Sequence, residues 1–148
     1  MGSRDFSVSI AVDQPPDAVF AAVNNVRGWW SEDVSGETGT LGSTFSYRYG
    51  EVHYSKQTIA DLAPGRRVVW RVDEARLNFT RDPDEWVGTE ICFEIEPAHG
   101  ATELRFTHRG LTDSLKCYEA CSGAWTFYVT ESLRDHITTG VGQPSHPV

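Results

Sequence analysis

The chain lacks most of what marks a secreted, membrane or nucleic-acid-binding protein. It has only three cysteines, Cys92, Cys117 and Cys121, an odd number that leaves no complete disulfide framework and favours reduced thiols. No run comes near the roughly 20 apolar residues that span a bilayer, so no membrane insertion is expected. The opening residues, MGSRDFSV, carry no apolar signal core, and Phe6 stands where myristoylation needs Ser or Thr. A cytoplasmic protein is the expectation. Positive charge is scarce as well: 13 Lys and Arg against 21 Asp and Glu give a net charge of -8. Such a chain repels phosphate backbones, so no nucleic-acid partner is expected. There is no internal repeat and no low-complexity linker.

What is present is the substance of one globular domain. The chain has 148 residues, 39% of them apolar and 23% charged. In FSVSIAV, Phe6, Val8, Ile10 and Val12 alternate with small residues at the period of a half-buried strand. Asp13 and two prolines then open a helix carrying Val19, Phe20 and Val23, with a further short turn from Val26 to Trp30. The polar, glycine-rich residues 31–42 read as a loop with room for a short edge segment. Strands follow. Phe45, Tyr47 and Tyr49 share one face; VHYSKQTIADL alternates imperfectly, which suggests a bulge. Val68, Trp70 and Val72 share a face, and Leu77 with Phe79 suggests another short strand before the acidic loop RDPDEW. Ile91, Phe93 and Ile95, then Leu104, Phe106 and His108, continue the inward pattern on two clean strands.

After Gly110 the period changes. Cys117, Cys121, Trp125, Tyr128, Val129, Leu133, His136 and Ile137 make one stripe at helical spacing, and Gly140 ends it. Consecutive antiparallel strands leave one apolar face to cover, and this last helix is the only element long enough to cover it. The expected fold is α+β: a curved antiparallel sheet of about six to seven strands gripping a long C-terminal helix. It would occupy residues 5–140 as a single domain, with 141–148 as a flexible tail.

This order, together with NNVRGWWSE, FSYRYGEVH, PGRRVVWRV, GTEICFEI, LRFTHRGL and CYEACSGAW, resembles the START/Bet v 1-like (SRPBCC) superfamily of helix-grip domains. Within it the chain is most similar to bacterial single-domain members of the family named for the activator of the heat-shock chaperone ATPase. The telling features are Trp29-Trp30, the strand ending Thr107-His108-Arg109-Gly110-Leu111, and Trp125 in the last helix. The resemblance implies a cavity between sheet and helix that takes a small hydrophobic or aromatic molecule. It implies no cofactor. The expected lining is Trp30, Tyr47, Tyr49, His53, Trp70, Phe93, Phe106, His108, Cys121, Trp125 and Tyr128. An enzyme of the same fold, with a cavity His or Tyr as acid or base, stays open, as does an interaction module for a chaperone partner. Exposed edge strands leave a homodimer open.

Sharper chemistry has ordinary competitors. Cys121 with His108 would make a nucleophile and base, but no catalytic signature surrounds either residue, and buried cysteines usually pack as small apolar groups. Cys117 and Cys121 with His53 or His108 give three soft ligands and no fourth, so no metal is expected. The loop carboxylates Glu32, Asp33, Asp82, Asp84 and Glu85 lack calcium-loop spacing. His53 and His108 either satisfy themselves inside the core or fix the polar end of a ligand. Trp29-Trp30 either plugs one end of the core or gates a cavity mouth beside the glycine-rich loop.

Overall fold

A computed structural model of the chain describes residues 5–51, 53–77, 85–112, 115 and 118–144. The alternating stretches become seven strands: β1 (Phe6–Val12), β2 (Val34–Gly36), β3 (Thr44–Tyr49), β4 (His53–Ala63), β5 (Arg67–Leu77), β6 (Glu90–Ala98) and β7 (Ala101–Arg109). They form one antiparallel sheet in the order β1-β7-β6-β5-β4-β3-β2. The short edge strand β2 comes from the polar loop. Between β1 and β2 lie α1 (Pro16–Asn24) and a 3-10 turn (Val26–Gly28). Pro15 occupies the cap position of α1 and no side chain caps it, so Asp13 stands outside the helix.

The C-terminal stripe forms one continuous helix: α2 (Tyr118–Phe127), a π-helical stretch (Tyr128–Leu133) and α3 (Arg134–Thr139). Gly140 ends it at φ 84°, a left-handed backbone that favours glycine, and donates its N–H to His136 O at 3.1 Å. The helix buries Cys121, Trp125, Tyr128, Val129, Ser132, Leu133 and Ile137. Cys117 of the expected stripe lies outside the described residues, and His136 is only half-buried. Ser132 is the polar member of the stripe. It donates to Trp29 O at 2.6 Å and accepts from Gln143 N at 2.8 Å, so the same hydroxyl ties the helix to the Trp29-Trp30 segment and to residue 143. No helix among the described residues is long and apolar enough to cross a membrane.

The irregularity read in β4 is real, and it has a consequence for the interior. The pairing of β4 with β5 shifts at Lys56/Gln57 and again at Ile59/Asp61. At the first shift Asp73 is the extra residue, held by Thr58 Oγ1 and, at 2.8 Å, by Arg71 Nε. The shift returns Ala75 and Leu77, after Val72, to the inner face of β5, opposite Ser55 and His53. Leu77 closes β5 instead of starting a new strand; Phe79 lies outside the described residues. Cys92 is buried although it alternates with glutamates, and burial raises its thiol to a pKa of about 11.

Candidate functional site

The concave face of the sheet and the buried side of the C-terminal helix meet in a cluster of aromatic rings. Trp30 stacks on Tyr47 with centroids 4.0 Å apart and touches Trp70 at 5.7 Å and Trp125 at 4.9 Å. Trp125 meets Phe106 at 4.6 Å, and Phe93 bridges Phe106 and Trp70 at 5.3 and 4.9 Å. Of the expected lining, Trp30, Tyr47, Trp70, Phe93, Phe106, His108, Cys121, Trp125 and Tyr128 are buried here, while Tyr49 and His53 are half-buried. Burial, followed by the neighbouring Tyr128, Tyr49 and Cys121, pushes the Tyr47 phenol above its ordinary value. These polar tips therefore share one neighbourhood.

Trp29 is also buried, with its indole N–H donating to Val23 O at 3.1 Å and its ring against Trp70 at 6.4 Å. The loop beside it is anchored. Arg27 donates to Val34 O and Gly36 O at 3.1 and 3.0 Å, and Thr38 Oγ1 donates to Asn24 O at 2.8 Å. In this arrangement Trp29 plugs the core.

His108 is engaged at both ring nitrogens. The Trp125 indole donates to Nδ1 at 3.1 Å, and Thr89 Oγ1 lies 2.8 Å from Nε2. An indole N–H only donates, so Nδ1 carries no proton; Nε2–H then donates to Thr89, whose hydroxyl donates to Trp86 O at 2.6 Å. This chain of bonds runs from the helix through β7 and Thr89, the residue before β6, into the 85–88 turn. Gly110 supports it: its φ of 97° favours glycine, and a Cβ there would lie 2.7 Å from Thr89 Cγ2. Burial, with His53 nearby, lowers the His108 pKa to about 3. With both nitrogens committed, His108 holds the wall together and offers no free acid or base.

His53 differs. Burial lowers its pKa to about 3, and its ring packs edge-on against Trp86 at 4.4 Å and Tyr47 at 4.9 Å. Its Nε2 has no hydrogen-bond partner among the described residues. The same holds for Ser55 Oγ, both amide atoms of Gln57, Trp70 Nε1 and Trp86 Nε1. His53, Ser55 and Gln57 occupy alternate positions of β4, and Ser55 and Gln57 are both 0% exposed. Each such group costs about 1–3 kcal/mol when left unpaired, so a stripe of them on an inner sheet face is costly for folding alone.

Sequence reasoning found the aromatic wall and missed three parts of the site: the Ser55 and Gln57 stripe, Trp86 and Thr89. Trp86 follows an acidic run, yet it is buried between His53 and His108, 4.7 Å from the latter, and stacks on Trp125 at 5.9 Å. Asp82 and Asp84 lie outside the described residues. Among the described residues no three His, Cys, Asp or Glu side chains are grouped to hold a metal ion.

A curved antiparallel sheet wrapped on a C-terminal helix, with an aromatic interior interrupted by a polar stripe, defines a helix-grip protein. The family model for Activator of Hsp90 ATPase homolog 1-like protein matches residues 13–138, and the chain belongs to this family. Solved structures agree. The Aha1 dimer from Colwellia psychrerythraea is 26% identical with a TM-score of 0.76, over 94% of this chain and 99% of that one. Protein SSP2350 from Staphylococcus saprophyticus is 18% identical, TM-score 0.70, over 97% and 100%. Protein MLL2253 from Mesorhizobium loti is 14% identical, TM-score 0.72, over 90% and 96%; these last two show the fold alone. No curated protein matches the chain.

Proposed function

We propose that the protein binds a small, largely aromatic organic molecule between the curved sheet and the C-terminal helix. The observation that carries this reading is the polar stripe of β4, His53, Ser55 and Gln57, set among aromatic side chains and holding buried atoms without hydrogen-bond partners among the described residues. An apolar chamber with a few converging polar groups is the usual form of a small-molecule site. Ser55 and Ala75 stand opposite each other in register, two positions in from the His53–Leu77 end of the β4–β5 ladder, so two small side chains meet there on the inner face. Entry is from the end where β3 stops and β4 starts, where Tyr49, His53 and Ala75 are only half-buried. Affinity comes from burial at about 25 cal/mol per Å² of apolar area, and the stripe sets orientation. The Colwellia relative is a dimer, which makes a pair of chains the assembly to expect in solution.

Native mass spectrometry of protein purified from its own host tests the reading. The expected spectrum shows a retained organic molecule, released on denaturation. Bare chain mass alone, before and after incubation with an organic extract of the host, contradicts it.

A further inference from the structure

The chemistry of the stripe narrows the occupant, given the chamber reading on which this inference rests. Charge comes first. The buried polar residues among those described are Ser31, Thr38, Ser55, Gln57, Thr89, Thr102, His108 and Ser132, with no Asp, Glu, Lys or Arg. A carboxylate or ammonium bound there would lose its water without gaining a counter-charge. The occupant is therefore uncharged.

Hydrogen-bond direction comes second. The Gln57 amide holds a carbonyl acceptor and an N–H donor side by side in one plane, and both lack partners among the described residues. A single ligand atom cannot satisfy both; an edge with an acceptor and a donor on adjacent atoms can. The indole N–H groups of Trp70 and Trp86, donors without partners among the described residues, favour further acceptor oxygens. Shape comes third. Trp30 lies nearly parallel to Tyr47 and Trp70, at interplanar angles of 7° and 14°. With centroids 4.0 and 5.7 Å apart, these rings stack on one another and leave no slot between them; together they make a flat aromatic surface that a planar molecule can lie against.

The geometry points to an uncharged planar molecule that meets Gln57 through a lactam-, amide- or hydroxy-ketone-type edge, with Ser55 and His53 flanking the contact. A pure hydrocarbon leaves the stripe unpaired, and an aromatic acid carries a charge the chamber cannot balance.

Titration of the full chain, followed by the indole and side-chain amide signals of a ¹⁵N-labelled sample, tests this with three probes of similar size. They are 2-quinolone (adjacent N–H and C=O), 1-methyl-2-quinolone (acceptor only) and 2-naphthoate (charged). The expected result is roughly tenfold tighter binding of 2-quinolone than of its methyl analogue, 2-naphthoate weakest, and loss of the preference in Gln57→Leu. Equal affinity for the two quinolones, or tightest binding of 2-naphthoate, overturns the inference and leaves the chamber reading standing. If none of the three shifts an indole signal of the folded protein at millimolar concentration, both fall.

Discussion

Trp125→Ala is expected to lower stability by about 4 kcal/mol, a fall in Tm of roughly 10–15 °C. The indole is buried where the helix meets the sheet, against Trp30, Trp86 and Phe106. Its loss leaves a cavity the surrounding rings cannot all close, and strips Nδ1 of His108 of its donor. Trp125→Phe separates the two contributions. It keeps most of the packing and loses only the hydrogen bond, so its cost should be about 2 kcal/mol. Chemical denaturation of the three proteins checks this. Equal stability of wild type and Trp125→Ala would mean that the helix does not pack on the sheet as described.

Stability is also expected to fall steeply on mild acidification, before most carboxylates titrate. His53 and His108 both have folded pKa values near 3, lowered by burial, against about 6.5 in an unfolded chain. Both are neutral in either state above that unfolded value, where their contribution to stability is complete. As pH falls from 6.5 towards 3, the unfolded chain takes up protons that the folded chain refuses, and stability is lost. At pH 5 the loss is roughly 2 kcal/mol for each histidine, a large share of the 5–15 kcal/mol of an ordinary domain. The ring neighbours recorded for the pair are Tyr47, Trp86 and Trp125, and none of these is an acid that would hold a protonated imidazole. Protonation of His108 would also set an N–H against the Trp125 indole N–H. His136, whose pKa is lowered by its partial burial, adds in the same direction. Denaturant midpoints measured from pH 7 to pH 5 check the expectation; a flat profile would place both imidazoles in water.

The sheet was legible because apolar side chains mark the inner face of β1 and β6 and, with Leu104 and Phe106, the middle of β7, and because helical spacing follows Gly110. The polar stripe was not, for a physical reason. Hydrophobic periodicity locates apolar faces, and on β4 the inward positions, half-buried His53 and buried Ser55 and Gln57, are polar while Tyr54, on the other face, is aromatic. The pattern there looked imperfect, and that imperfection marks the polar stripe. Trp86 was hidden by its acidic neighbours. Its position depends on the chain returning to β5, where Gly88 N and Val72 O lie 2.9 Å apart, a long-range pairing that local sequence does not encode. Ser132 escaped the helical stripe because its burial answers a hydrogen bond to Trp29 and not its own hydropathy.

Under the proposed function Gln57, whose amide atoms have no hydrogen-bond partner among the described residues, is kept inside the fold for a partner outside the chain. Thermal unfolding of Gln57→Leu, a substitution of similar volume, tests it without any ligand. Removal of two buried polar atoms that make no hydrogen bond among the described residues should raise Tm by a few degrees, with binding weakened in exchange. A Tm lowered by several degrees would show that the amide stabilises the folded chain through bonds of its own, and the stripe would then be structural.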